Sequence, residues 1–489
     1  MKFLIDTNIF IPLEPTRFFD VEGSTNKVTE FVKLSAVSGH QIYVHPAERA
    51  DLKRDKDEER RKLREILFNK YPSLPQPPPI PSSLESILGY AEPESNSWVD
   101  HQLIAALYSN ASDFLVTEDR SLRKKAGKLG LESRVATVTE VISILKDLYD
   151  TCPQPPPAVR DVKAYALDEN DPIFKSLQKD YTDFNEWLVK CKREHRQAWV
   201  IDGQESNLAA FSIVKHKKSK TWVLNGKVLK ICSFKVSEQY NGIRYGELLL
   251  KTIFDYATKN GYDWIYITVL EKHNVLISLL EDFGFRDTRA KTDAGEIVFS
   301  KPMSCTDEID ESFDPLSFNV RYGPFALKFQ GVPSYIIPIR PQFHRLLFPE
   351  VEKQLEIQPG NRPFGNSIRK AYLSNAQIRT IKPGSNIFFY RSMDWNSVML
   401  VGVVEDTLVS SSPIEIARYV SKRTVYTYSE IEKMCHREVL AIRFRQSRIL
   451  KRPITIQELK VNGIVSAAPQ SIITIQKEAL EWIQTLITE

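Results

Sequence analysis

Cysteine is scarce in this chain and scattered. Its five residues, Cys152, Cys191, Cys232, Cys305 and Cys435, are spread over 489 positions, and none forms a Cys-x-x-Cys pair that would seed a zinc site or a redox centre. A reduced, cytoplasmic protein is expected. Long apolar runs are also missing. No stretch approaches the roughly 18 residues of a membrane span, and the apolar start MKFLI meets Asp6 too early for a signal peptide. Neither sign of charge dominates: a net +4 permits a nucleic-acid partner without demanding one. Internal repeats and extended low-complexity tracts are absent as well, which excludes solenoid and array architectures.

What is present is material for several cores. With 42% hydrophobic and 26% charged residues, the composition is that of a folded α/β multidomain protein, and its length exceeds what one hydrophobic core serves. Three domains are expected, over residues 1–150, 159–302 and 335–489. In the first, residues 2–11 contain a strand that runs into Asp-Thr-Asn. QIYVH (41–45) is a second short strand, followed by a strongly charged helix over 49–67. Strands and helices then alternate to about residue 149, the pattern of a parallel α/β sheet. The proline run 153–157 marks a boundary, whereas the equally proline-rich 72–81 reads as an internal loop. From residue 158 the chain reads as strands with polar hairpins, including an Asn225-Gly226 turn. A helix, a strand, a second helix and a last strand at 296–300 follow. After the acidic stretch 306–315, strand-like runs (NIFFYRS, SVMLVGVV, EVLAIRFR) and a helical span near 429–434 predict a small mixed β-barrel.

Carboxylates recur at one edge of the first sheet. Asp6 ends a strand, Asp100 opens the helix DHQLIAALYSN, and Asp119 follows the apolar strand FLV. Asp51, with Glu48 close before it, lies on the helix after QIYVH. Ligands of open α/β sheets sit at such strand ends, and hard divalent cations take oxygen ligands. Taken singly, each acid also reads as a solvated helix cap. The ordered set resembles the PIN-domain family across the first domain. That resemblance implies a parallel α/β fold, one or two Mg²⁺ or Mn²⁺ ions held by Asp6, Asp51, Asp100 and Asp119, and metal-assisted RNA hydrolysis as the activity. Glu48 can take the place of Asp51, and Asn8 or Thr117 can orient the site. The basic run RSLRKKAGK (120–128) suits a phosphate backbone or a solvated helix face equally.

In the middle domain, VLKICSFKV runs into a loop with Gly242 and Gly246 and then an amphipathic helix. Glycines at a strand-to-helix turn let backbone N–H groups surround a diphosphate. The strand WIYITV follows, then Asn274 before a helix ending in EDFGF. The arrangement resembles the GNAT acetyltransferase family over about 159–302. The family's Arg-Gly-x-Gly-x-Gly run is read here as Asn241, Gly242, Ile243, Arg244, Tyr245 and Gly246, departing at two positions. The resemblance implies a mixed α/β domain that binds acetyl-CoA through Phe234, Val236, those six residues and Asn274. The tyrosine that many relatives place four residues before the late glycine is Leu280 here. Glu238 and His273 are the nearest candidates for a base that deprotonates an amine.

In the last domain, alternation in IRFR puts Ile442 and Phe444 on one face and Arg443 and Arg445 on the other. With Arg369, Lys370, Arg391, Arg448, Lys451 and Arg452, and with Tyr372 and Tyr390, this places positive charge among aromatics, a chemistry suited to RNA. The turn Lys-Pro-Gly before FFYRS resembles the PUA-like superfamily, particularly its ASCH branch, over about 335–489. That implies a small β-barrel that binds RNA, with Lys370 opposite a catalytic lysine of some relatives. The expected partners are RNA, tRNA among the options, acetyl-CoA, and a further copy of the chain, with no membrane. The leading expectation is an RNA-directed protein that joins metal-dependent RNA cleavage to acetyl transfer onto RNA or protein. Alternatives are an acetyltransferase with a regulatory PIN-like domain and a toxin-antitoxin-like binding protein.

Overall fold

The computed structural model describes residues 1–14, 25–149, 158–203, 207–217, 224–237, 240, 244–303, 313–351, 367–420 and 423–488. The proline run 153–157 and most of the acidic stretch 306–315 fall outside these residues. The protein is multidomain α/β and forms two compact units. One comprises Met1–Thr151, Ser410–Lys422 and Tyr426–His436, and the other Cys152–Val409, Arg423–Val425 and Arg437–Glu489.

The first unit is built on four parallel strands, β1 (Lys2–Ile5), β2 (Gln41–Tyr43), β3 (Phe114–Val116) and β4 (Val135–Ala136), in the order β2-β1-β3-β4. The central pair is almost wholly apolar because helices cover both faces of a parallel sheet. Leu4 and Leu115 pack with Leu103, Ile104 and Leu107 of the helix Asn96–Tyr108 in one core. Two short helices from late in the sequence, Pro413–Val420 and Tyr428–Met434, belong to this unit. The Tyr428 ring stacks on Tyr149 at 5.2 Å, and Arg418 lies 3.5 Å from Asp113.

Two local expectations are corrected. The charged helix expected over 49–67 is broken into Arg49–Lys53 and Glu58–Phe68. Between them Asp55 accepts the Asp57 N–H, and Asp57 caps the second helix by accepting from the Arg60 N–H, so side-chain oxygens take backbone donors a continuous helix would need. Asp100 does not open its helix: Ser95 is the cap, accepting from the Trp98 N–H, and Asp100 stands one turn inside.

The second unit holds two sheets. The first runs β10-β11-β9-β8-β7-β6-β5, from β5 (Val159–Lys163), β6 (Gln197–Asp202), β7 (Leu208–Lys217), β8 (Val228–Val236), β9 (Trp264–Val269), β10 (Arg286–Lys291) and β11 (Ile297–Pro302). All neighbours are antiparallel except β8 and β9. Gly226, ahead of β8, has φ +92°, and a Cβ there would strike the Asp263 carboxylate, so the Asn-Gly signal reflects a real conformational demand. The second sheet is mixed, with order β13-β16-β15-β14-β12-β17. Its strands are β12 (Ser334–Ile339), β13 (Arg369–Ser374), β14 (Asn386–Arg391), β15 (Ser397–Ser410), β16 (Val439–Thr455) and β17 (Ile473–Thr474). β12 and β14 run parallel. No helix among the described residues is long and apolar enough to cross a membrane.

Candidate functional site

The acids of the first unit converge at the C-terminal ends of β1 and β3. Asp6 directly follows β1 and is only 7% exposed. Its carboxylate accepts from the Thr117 hydroxyl at 2.6 Å and from the Asn8 amide. The Thr7 hydroxyl lies 3.2 Å from Glu48 and 3.3 Å from Asp51, so the helix register supplies both acids rather than one. Glu48 is fully buried and also accepts the His45 N–H. Burial, with smaller contributions from Asp100 and Asp51, pushes the Asp6 carboxyl up to about 6 against the Thr117 bond. Burial and then Asp6 hold Glu48 well above the usual carboxylate range. Asp51 and Asp100 are raised by burial despite their cations, Arg54 and Lys125.

Those two cations define the state of the site. Lys125 lies 2.8 Å from Asp100, and Arg54 pairs with Asp51. Four carboxylates thus share two cations. Asp119 is turned to local work, capping the helix Arg120–Gly127 by accepting from the Ser121 and Leu122 N–H groups. The donor chemistry suits a hard divalent cation, being all oxygen and short of positive charge. Among the described residues, however, no three His, Cys, Asp or Glu side chains are gathered closely enough to hold a metal. The sequence reading missed Thr7, Arg54 and Lys125. Thr7 stands inside the Asp-Thr-Asn it quoted, and Lys125 inside the basic run.

In the second unit, a groove opens between β8 and β9. The two strands pair in register only from Val228↔Trp264 to Ile231↔Ile267. Beyond that, β8 stays on β7, with Ser233 opposite Ile213 and Ile231 opposite Val214. Cys232 is therefore an extra residue, a bulge that bends β8 away from β9. The edge Ser233–Val236 faces the gap with backbone groups that β9 does not use. Phe234 is buried beside Gly246, where a Cβ would stand 2.8 Å from Leu279 Cδ2 and 3.6 Å from the Phe234 ring. Gly246 thus permits the close approach of the helix Tyr245–Lys259 to Leu279. Arg244 precedes that helix in the left-handed region, φ +65°, and Tyr245 stacks on Tyr240 at 5.5 Å. Val236 is half-buried, and Asn274 is exposed as the first residue of the helix Asn274–Asp282. Glu238, Asn241, Gly242 and Ile243 lie outside the described residues.

Next to this groove, His273 Nε2 lies 3.3 Å from Asp180, which also pairs with Lys272. The Tyr181 hydroxyl donates to Glu296 at 2.9 Å. Asp180, Tyr181 and Glu296 were not singled out from sequence. They lie 115 and 92 residues from their partners, so no local signal joins them. Leu280 is fully buried among Phe254, Phe283 and Phe285 in the core. At the other end of the sheet is a cavity of about 300 Å³ lined by Lys163, Glu194, Arg196, Lys215, His216 and Tyr262. Its Arg196 and Lys215 are already paired with Glu194.

Most of the residues expected to form a basic RNA face in the last domain are buried or half-buried, although Lys451 and Arg452 are exposed. Lys370 is fully buried, donates to the Leu347 carbonyl, and is pushed down to about 7 by burial despite Glu350. Arg391 is 1% exposed, bonded to Asp394 at 2.6 Å and stacked over Trp395. Arg369 and Arg445 share Glu405, and Arg443 pairs with Asp406 at 2.8 Å. The alternation in IRFR is real, but β13 pairs with β16 so that Arg369 stands opposite Arg445, and the acids of β15 neutralise both. Tyr372 and Tyr390 are buried and bonded to Pro338 and Asn396 rather than offered to bases.

Comparison with known proteins bears on the fold of the second unit. Residues 162–285 match the model described as acetyltransferase (GNAT) family, so the middle of the chain has an acetyltransferase-type fold. Among solved structures, an acetyltransferase of the GNAT family from Staphylococcus aureus Mu50 is similar at 14% identity, covering 30% of this chain and 100% of that one with a TM-score of 0.25. The NatC complex bound to Gag peptide and CoA is similar at 14% identity, 30% and 99% coverage, and TM-score 0.23. An ASCH protein from Zymomonas mobilis is similar at 16% identity, 31% and 94% coverage, and TM-score 0.25. No curated protein matches the chain.

Proposed function

We propose that the chain is an acetyl-CoA-dependent N-acetyltransferase that carries a metal-dependent RNA-hydrolysing domain at its N-terminus. The observation that carries the first activity is the bulge at Cys232, which parts β8 from β9 within the segment matching the acetyltransferase family. The freed edge Ser233–Val236 would hold the amides of the cofactor arm as an added strand, and the N-terminus of the helix Tyr245–Lys259 would hold its diphosphate. When bound, the cofactor supplies an activated acetyl thioester. His273, oriented by Asp180, accepts the proton that the acceptor amine loses as its nitrogen bonds the acetyl carbon and the carbon–sulfur bond breaks. Buried Leu280 offers no proton to the departing thiolate, so that sulfur leaves without help from this position.

Titration of acetyl-CoA into the full chain tests the reading. A rise in melting temperature with saturation is expected, followed by acetylation of an amine acceptor that falls about 100-fold in His273→Ala. Absence of any binding would remove the acetyltransferase.

The second activity is favoured by the surplus of buried carboxylate around Asp6. Asp6, Glu48, Asp51 and Asp100 would have to draw closer together than they stand here to hold a divalent ion, with Thr117, Asn8 and Thr7 fixing their orientation. Such an ion supplies positive charge and lowers the pKa of a bound water. Arg120, Lys124 and Lys128 recur every four residues and are all exposed, so one side of this helix presents positive charge to a phosphate backbone. RNA incubated with Mn²⁺ should be cut by the wild type, and not by Asp100→Asn or in the presence of a chelator. Equal products from both proteins would dismiss the site.

A further inference from the structure

The end of the acetyltransferase helix that would receive the cofactor's diphosphate carries an acid. Glu247 sits in the first turn of Tyr245–Lys259 and is 5% exposed. A carboxylate there benefits from the helix dipole, but free, it would repel an incoming anion from the same N–H groups. In this chain it is already engaged, and by the last domain. The backbone N–H of Arg369, the first residue of β13, donates to Glu247 Oε1 at 2.6 Å. The Arg244 guanidinium, from the residue just before the helix, donates to the Arg369 carbonyl at 3.1 Å. One peptide segment of β13 is therefore clasped on both sides by residues flanking the helix start.

That clasp is anchored from behind. The Arg369 side chain donates to Glu405 at 2.8 Å, and Glu405 also accepts from Arg445 and Arg423. Ile368, immediately before it, is buried in the acetyltransferase core with Leu249 and Phe254. One helical turn beyond Glu247, Lys251 pairs with Glu350 at 2.6 Å, and Gln446 of β16 donates to the same carboxylate at 2.6 Å. The same face of the helix is thus gripped twice by the mixed sheet.

We propose that Arg369 is a positioning residue for acetyl-CoA: by occupying Glu247 and fixing Arg244, the C-terminal sheet holds the helix start in its anion-accepting form. Resting on the acetyltransferase reading, this makes cofactor affinity a property of two domains. Linkage then requires the reverse effect, that cofactor binding steadies β13.

The test uses the full chain and coenzyme A. Calorimetry would compare wild type, Arg369→Ala and Arg369→Lys, and hydrogen exchange of the 369–374 segment would be followed with and without coenzyme A. Arg369→Ala keeps the main-chain clasp but removes the anchor to Glu405 that holds it in place, and should weaken binding about tenfold, raising KM for acetyl-CoA while kcat and the acceptor KM hold. Arg369→Lys, which keeps the charge toward Glu405, should recover most of the loss, and exchange in β13 should slow when coenzyme A is bound. A folded Arg369→Ala protein with wild-type affinity, or β13 exchange indifferent to a ligand that does bind, overturns the proposal alone. Failure of the wild type to bind coenzyme A overturns the acetyltransferase reading and this proposal together. If Arg369→Ala does not fold, the exchange experiment on the wild type decides.

Discussion

The chain buries two clusters of charge with opposite balances, and their carboxylates respond in opposite directions. Around Asp6, four acids share Arg54 and Lys125, and burial drives Asp6 to about 6 and Glu48 far upward. Around Glu405, burial also opposes the charge, yet Arg423, Arg369 and Arg445 hold its carboxyl far below the usual range. Burial thus yields a strained anion in one place and a locked one in the other; the number of cations within reach decides. The locked cluster is a structural joint. The strained one is short of positive charge.

The sharpest way to break this contrast is Glu405→Gln. It leaves three arginines buried around a neutral amide and should cost about 3 to 5 kcal/mol, read by chemical denaturation of the second unit. Asp6→Asn should act the other way. With its folded pKa raised from 3.8 to about 6, Asp6 favours the folded state below pH 4, and that contribution is lost as pH rises through 6. In chelator at pH 7.5 the variant should therefore gain up to about 3 kcal/mol, and the gain should vanish below pH 4. A variant no more stable than wild type at pH 7.5 would remove the claim of strain. Lys125→Gln takes away one of the two cations and should lose about 1 kcal/mol at neutral pH, discounted because the pair is partly exposed. As a baseline, Lys62→Ala breaks the exposed pair with Glu58 and should shift stability by no more than about 0.5 kcal/mol.

Much of this was legible in the sequence where the signal was local. The run from Asp6 to Asn8, the strand before Asp119, the Asn225-Gly226 turn and the strand-to-helix turn ahead of Gly246 all announce themselves within a few residues, because a backbone demand or a strand end is written there. Asp6 and Asp119 could be collected for the same reason, as endings of apolar strands, whereas Asp51 and Asp100 lie on helices. What failed was inference about partners. Arg443 and Arg445 alternate as an exposed face would, but Asp406 and Glu405 lie 37 and 40 residues away. Lys370 looked like a surface lysine until Leu347 and Glu350 closed around it. Likewise, the break after Lys53 depends on Asp55 and Asp57 competing for backbone donors, a contest that the helical periodicity of the flanking residues conceals.

The helices Pro413–Val420 and Tyr428–Met434 carry a consequence for how this molecule can be inherited or dismantled. The chain leaves its first unit after Thr151, yet comes back for residues 410–422 and 426–436 before ending in the second. The two are therefore laced rather than strung. A single protease cut in the proline run would not free an intact N-terminal piece, and a recombination event copying only the first 150 codons would deliver it without the surface on which Tyr149 and Asp113 rest. Shuffling of the first unit as a cassette is blocked by its own threading, so its fate in evolution is tied to that of the sheet from which its last two helices are borrowed.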